Sequence, residues 1–221
     1  MLLEGKTVLV TGGSAGIGQA IAIGAARQGA DVAINFVGDD SKAQETLVQV
    51  RQAGRKALAV KGDVAIPETA DRFIAEATDA LGGVDVFVSN AGICPFHAFL
   101  DMPPETVDRT VQVNLLGAYY MVQAAARQMV SQKRGGSIIA MSSISALVGG
   151  EFQTHYTPTK AGVLSLMQSA AIALGKHGIR CNALLPGTIE TDINREDLSD
   201  PRKREYMESR TPLGRLGEPE D

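Results

Sequence analysis

The chain has 221 residues, of which 44% are hydrophobic and 21% charged, with a formal net charge of −4. That profile favours one large globular domain and gives no electrostatic reason to propose nucleic acid or an anionic membrane as partner. Cys94 and Cys181 are too few for a disulfide framework and lack metal-ligand spacing, so two reduced, buried thiols in a cytoplasmic protein are expected.

Apolar runs of strand length alternate along the chain with longer helical stretches. Met1 to Lys6 leads straight into the first strand, Thr7 to Val10, without room for a signal peptide. A helix from Ile17 to Gln28 stops at Gly29, and Asp31 to Phe36 forms the second strand. Ser41 to Ala53 reads as a helix with Ser41 as N-cap and Gly54 as its stop. Lys56 to Val60 is a third strand, Pro67 to Leu81 a helix, and Val84 to Ser89 a fourth strand. A long helix is predicted from about Pro104 to Gln132, a strand over Ser137 to Met141, a helix from about His155 to His177 and a strand over Arg180 to Leu185. None of the apolar runs approaches the roughly 20 residues that span a bilayer.

Strands apolar at nearly every position are buried on both faces, as in a parallel sheet covered by helices. The expected architecture is therefore α/β, a doubly wound parallel sheet in a single domain over residues 1–221. The polar segment after Gly187, with Pro201, Pro212 and Pro219, reads as loop and short helices over the site, a substrate-loop region spanning about 187–216.

Thr11-Gly12-Gly13-Ser14-Ala15-Gly16-Ile17-Gly18 joins the first strand to the first helix. Glycines there let the backbone turn tightly and approach a pyrophosphate, which the helix N-terminus then meets with free N–H groups and the positive end of its dipole. Further along, Tyr156 and Lys160 stand one helical turn apart. A tyrosine titrates near 10 and is a poor base at neutrality, but an adjacent ammonium favours the phenolate and makes the pair a general acid/base candidate. Ordinary helix surface is the alternative for such a pair. Pro158 is tolerated only in a first turn, so the helix must begin near His155. Ser143 ends the fifth strand, at the carboxyl edge where ligands bind in open α/β sheets.

These motifs, in this order together with Asn90-Ala91-Gly92, Asn114 and Pro186-Gly187, resemble the short-chain dehydrogenase/reductase family. The resemblance implies a Rossmann-type fold and a catalytic set of Asn114, Ser143, Tyr156 and Lys160. Tyr156 would exchange a proton with the substrate oxygen, and Ser143 would bond that oxygen. Lys160 would hold the nicotinamide ribose and lower the tyrosine pKa, while Asn114 would anchor a water leading to solvent. For Ser143 the alternative is a strand-end hydroxyl satisfying a turn, and for Asn114 a polar residue that kinks a helix. The resemblance further implies cofactor contacts from Gly12, Ser14, Ala15, Gly16, Ile17 and Gly18, from Asp63 and Val64 on the adenine, and from Asn90, Ala91 and Gly92. Pro186, Gly187, Ile189 and Thr191 would close on the carboxamide end. Asp63 also reads as a plain solvated loop aspartate.

Cofactor choice is read at the end of the second strand, where an acid binds the ribose of NAD and an arginine accepts the phosphate of NADP. Asn35-Phe36-Val37 stands there and Ala15 occupies the turn, so dual use of NAD and NADP with a lean to NAD is expected. Substrate contacts are expected from Phe96, Ser143, Ser145, Gln153, Tyr156, Thr188 and Asn194, with His97, His155 and Cys94 nearby. A pocket so rich in hydrogen-bonding groups suits a sugar better than an acyl chain. The runs Asn90 to Phe96, Ser142 to Gly150, Gln153 to Lys160 and Leu185 to Ile189 narrow the resemblance to sugar 1-dehydrogenases that oxidise L-rhamnose at its anomeric hydroxyl. A 3-oxoacyl-carrier-protein reductase or another polyol or glucose dehydrogenase of the same family is the alternative, and a non-catalytic, cofactor-binding regulator on the same fold would conflict with the intact Asn-Ser-Tyr-Lys set. The family adds one more helix and a last strand beyond Asp221, so a longer natural chain is expected, as is a homo-oligomer, commonly a tetramer.

Overall fold

Six strands carry the molecule: Thr7–Thr11 (β1), Asp31–Phe36 (β2), Ala57–Lys61 (β3), Val86–Ser89 (β4), Gly136–Met141 (β5) and Ile179–Leu184 (β6). All pair in parallel, in the order β3-β2-β1-β4-β5-β6. The computed structural model describes residues 1–221. Because side chains alternate along a strand, β1 sends Val8 and Val10 into one core and Leu9 into the other. On the first face Gly16–Arg27 (α1) and Asp40–Gln52 (α2) cover Val8, Val10, Val32 and Ile34. On the second face Pro67–Leu81 (α3), with the helices Ala118–Gln132 and Tyr156–Leu174, seals Phe73, Phe87, Met121, Met129 and Ile138.

The order reverses between β1 and β4, so the strand ends diverge there and leave a crevice at the carboxyl edge. The glycine turn, Asn90, Ser143 and Pro186 follow β1, β4, β5 and β6 respectively, and all lie along that edge.

The long helix expected from Pro104 to Gln132 is interrupted. Pro104–Val111 (α4) passes into a π-helical stretch, Gln112–Gly117, before Ala118–Gln132 (α5). The stretch ends in a close packing contact, since a side chain at Gly117 would stand 2.8 Å from Val64 Cγ2 and 3.1 Å from its carbonyl. Tyr156–Leu174 (α6) starts where Pro158 requires and ends in a 3₁₀ turn, Gly175–His177. After β6, a 3₁₀ turn at Asp197–Ser199 leads to Pro201–Ser209 (α7). A parallel bridge pairs Ile189 with Gly217 and ties residues near the end of the sequence to the substrate-loop region. No helix is long and apolar enough to cross a membrane.

Candidate active site

The glycine turn is built for a close anionic guest. Gly16 has φ +52°, and a side chain at Gly18 would stand 2.2 Å from the Gly12 carbonyl, so only glycine fits there. Ala15 provides no side-chain cap to α1, which leaves first-turn N–H groups for a ligand. Thr11 fixes the neighbouring loop, its hydroxyl accepting from Asn90 N (2.9 Å) and Ala91 N (3.0 Å). The Asn90 amide donates to the carbonyls of Thr11 (2.9 Å) and Gly12 (3.3 Å). Asn90 thus shapes the turn with its side chain, a structural task besides the ribose contact expected of it. Thr191 leans over the turn, with its Cγ2 3.2 Å from where a Gly16 side chain would be. These features fit a dinucleotide: a tight backbone cradle, uncapped donors and a covering loop.

At the far end of that cradle α6 delivers its first two turns. Lys160 is buried, and its Nζ donates to the Met141 carbonyl at 2.8 Å. Burial lowers its pKa to about 8. The ammonium lies 5.5 Å from the centre of the Tyr156 ring. Tyr156 is pushed up to about 12, chiefly by burial, while the Ser143 hydroxyl facing it favours the phenolate. Cys94 adds to the rise, and Ser143 alone opposes it, so the lowering expected from Lys160 is not seen at the phenol. Ser143 Oγ also accepts from Ser145 N at 3.1 Å, so the strand-end turn and the site share one hydroxyl. Ser142 is set apart by its bond: Oγ donates to the Lys160 carbonyl at 2.8 Å and joins β5 to α6.

Asn114 sits in the π stretch, where its amide is fully engaged with Ile93, accepting from N (2.8 Å) and donating to O (2.9 Å), with Thr159 Oγ1 at 3.3 Å. A side chain at Gly92 would stand 3.3 Å from Asn114 Oδ1 and 3.4 Å from Lys160 Nζ, so the missing Cβ lets the two groups share one space.

Other expected residues fall in different places. Asn35 is buried with Nδ2 donating to the carbonyls of Gly62 (2.8 Å) and Val60 (3.3 Å). Its amide stitches β2 to the end of β3, a structural task besides the cofactor contact expected at that strand end. Phe36 is buried beside it, leaving Val37 exposed at that strand end. Asp63 is held by Ala65 N (3.0 Å) and by Arg109 (2.7 Å), and Val64 packs against Gly117. Asn194 accepts from Thr191 N (2.9 Å) and donates to the Ile189 carbonyl (2.9 Å), so its carboxamide is occupied in shaping the loop that was expected to close on the sugar.

Around the catalytic oxygen, Ser145 Oγ donates to Gln153 Oε1 (3.3 Å), and Gln153 Nε2 donates to Cys94 Sγ (3.4 Å). Burial raises the Cys94 thiol to about 11, so it remains neutral. His155 is buried, and burial followed by the charge of His97 lowers its pKa, with the Pro95 backbone opposing. Thr188 is half-buried, its carbonyl accepting from Gly217 N at 3.0 Å. Two residues escaped the sequence. Thr159 adjoins recognised motif residues, and that adjacency is a usable signal. Arg109 acts on Asp63, remote in sequence, and leaves no local pattern.

A solved short-chain type dehydrogenase/reductase from Mycobacterium marinum superposes with a TM-score of 0.93 at 37% identity, over 99% of this chain and 85% of that one. A family profile described as "Enoyl-(Acyl carrier protein) reductase" matches residues 12–221. This chain is a short-chain dehydrogenase/reductase. Among curated members of that family it is 71% identical to a Sphingomonas protein named L-rhamnose 1-dehydrogenase (NAD(P)(+)), over 100% of this chain and 87% of that protein. A Thermoplasma acidophilum relative named L-rhamnose 1-dehydrogenase (NADP(+)) is 49% identical over 99% of the chain and 86% of its own length. A Burkholderia cenocepacia short-chain dehydrogenase solved in complex with NADP superposes with a TM-score of 0.92 at 33% identity, covering 100% and 88% of the two chains.

Proposed function

We propose that this protein oxidises the anomeric hydroxyl of L-rhamnose to the lactone, using either NAD or NADP. The observation that carries this reading is the 71% identity to an L-rhamnose 1-dehydrogenase (NAD(P)(+)) across the whole chain. The connected polar set at the mouth, Ser143, Ser145, Gln153 and Cys94, supports it, being suited to a polyhydroxylated ligand.

Gly12, Ser14, Ala15, Gly16, Ile17 and Gly18 would hold the pyrophosphate, and Pro186, Gly187, Ile189 and Thr191 the nicotinamide end. Held there, a nicotinamide would supply the acceptor for the hydride from the sugar's C1. Tyr156 takes the hydroxyl proton while Ser143 bonds the same oxygen and fixes its distance from the phenol. Lys160 supplies a cation that favours the developing phenolate. Asn114, anchored on Ile93, would hold a water that links Lys160 to solvent.

The test is an aldose screen with cofactor reduction followed by absorbance. L-rhamnose should give the highest kcat/KM, and activity on acetoacetyl thioesters without any on aldoses would replace this reading with that of the Staphylococcus aureus 3-oxoacyl-[acyl-carrier-protein] reductases, to which the chain is 38% identical. Both cofactors should work, with a modest preference for NAD. A preference for NADP of about 100-fold, or ~2.7 kcal/mol, would remove that lean. We place the protein in the cytoplasm, where Cys94 and Cys181 stay as free thiols. Self-association is expected through exposed apolar residues on the π stretch, α5 and α6, including Leu116, Tyr119 and Ile172, and mass measurement in solution tests it.

A further inference from the structure

Lys203 of α7 reaches back over the mouth of the site. Its Nζ lies 5.2 Å from the centre of the Phe96 ring and 5.6 Å from that of Phe152. It is also ion-paired with Asp197, with side-chain exposures of only 33% and 18%. Leu198, next to Asp197, is buried.

The two rings come from loops that form opposite parts of the mouth. Phe96 follows Cys94, and Phe152 precedes Gln153. The loops are joined on their inner side by Gln153 Nε2 to Cys94 Sγ and by His97 N to the Phe152 carbonyl (3.3 Å). On the outer side, Lys203 touches both rings. A cation over an aromatic face is held by the ring quadrupole, more strongly as water is withdrawn. A carboxylate already paired with it keeps the ammonium from leaving for solvent.

We propose that Lys203 is a positioning residue for substrate, holding α7 against Phe96 and Phe152 so that the wall beside Gln153 is in place before the sugar arrives. The proposal rests on the sugar-dehydrogenase reading. It assigns Lys203 no part in proton or hydride transfer, so its effect belongs in KM.

The experiment compares Lys203→Met, Lys203→Arg and Phe152→Leu on whichever aldose the unaltered protein oxidises, with melting temperatures as a folding control. Lys203→Met should raise the sugar KM about tenfold with kcat within about twofold, and Lys203→Arg should restore the wild-type KM because a guanidinium also binds ring faces. Phe152→Leu leaves the Asp197 pair intact and should share the defect, and its effect should not add to that of Lys203→Met. An unchanged KM in Lys203→Met, a fall in kcat alone, an arginine variant as poor as the methionine one, or full additivity would each overturn the proposal. Chymotrypsin cleavage after Tyr206, which is 57% exposed on α7, gives a readout independent of turnover. It should accelerate in Lys203→Met and not in Lys203→Arg. If no aldose is oxidised, the functional reading fails while the cleavage rates still decide the fate of the clamp.

Discussion

Lys160 illustrates how much a single residue in this site costs the fold. Burial takes its pKa from 10.5 to about 8, and at neutral pH the protonated form therefore destabilises the folded state by about 3 kcal/mol. The sign follows from proton counts. Below pH 8 both folded and unfolded chains hold the proton and the full cost applies; between pH 8 and 10.5 only the unfolded chain holds it, so stability rises with pH. Lys160→Met should thus lose activity yet gain about 1–3 kcal/mol at pH 7, less whatever the unpartnered Met141 carbonyl takes back. Its stability should lack the rise between pH 8 and 10.5 seen in the unaltered protein, and chemical denaturation at pH 7 and pH 10 reads both effects. Tyr156, pushed up to about 12, is fully protonated at neutrality. Sugar oxidation needs the phenolate, so kcat/KM for oxidation should climb with pH from 7 to 10, while the reverse reduction, which needs the protonated phenol, should stay level over that range; a flat oxidation profile would remove Tyr156 as the proton acceptor. Tyr156→Phe should cut kcat about 10²–10⁴-fold without moving the melting temperature downward.

At the scale of elements, the π stretch and the β2–β3 junction decide what the site receives. Asn114 is presented by widening a helix, not by a loop, and both ends of its amide are fixed on Ile93. π-turns inside helices recur at functional sites, and this one also seats Gly117 against Val64. The sequence announced the helix through its length and apolar content, but nothing local distinguishes a π turn from an α turn, and the Val64 surface on which Gly117 packs lies more than 50 positions away. Asn35 shows the same limit. Its place at the end of β2 was legible and suggested a cofactor contact, whereas the direction of its amide depends on the register of β3. Motif residues that stand at strand ends and helix starts were readable because secondary structure alone places them; Tyr156, Lys160, Ser143 and the glycine turn are all of that kind. Arg109, Lys203 and the inward Asn35 are placed by tertiary packing. A direct test is Asn35→Asp, a change that a motif-based view would make to strengthen NAD binding. It aims a carboxylate at the carbonyls of Val60 and Gly62 and should cost about 2–4 kcal/mol in denaturant unfolding, with no gain in NAD preference.

Across the whole molecule, six parallel strands with a reversal between β1 and β4 gather functional groups from chain positions 12 to 191 along one edge. No ladder bond in this sheet is local in sequence, and every pairing requires a crossover. Folding should accordingly be slow for a chain of this size, with refolding over seconds or longer; complete recovery within milliseconds would contradict it. The chain spans 86–88% of its curated relatives.

The bonds between β5 and α6 have a practical bearing on heat. Ser142 Oγ holds the Lys160 carbonyl and Lys160 Nζ holds the Met141 carbonyl, so the strand end and the first turns of the helix are tied in both directions. Neither the proton-exchanging phenol nor its serine can work loose while the central sheet survives. Warming this protein should therefore extinguish turnover and circular dichroism together. Residual activity after a heat pulse would then serve as a simple count of molecules that remain folded.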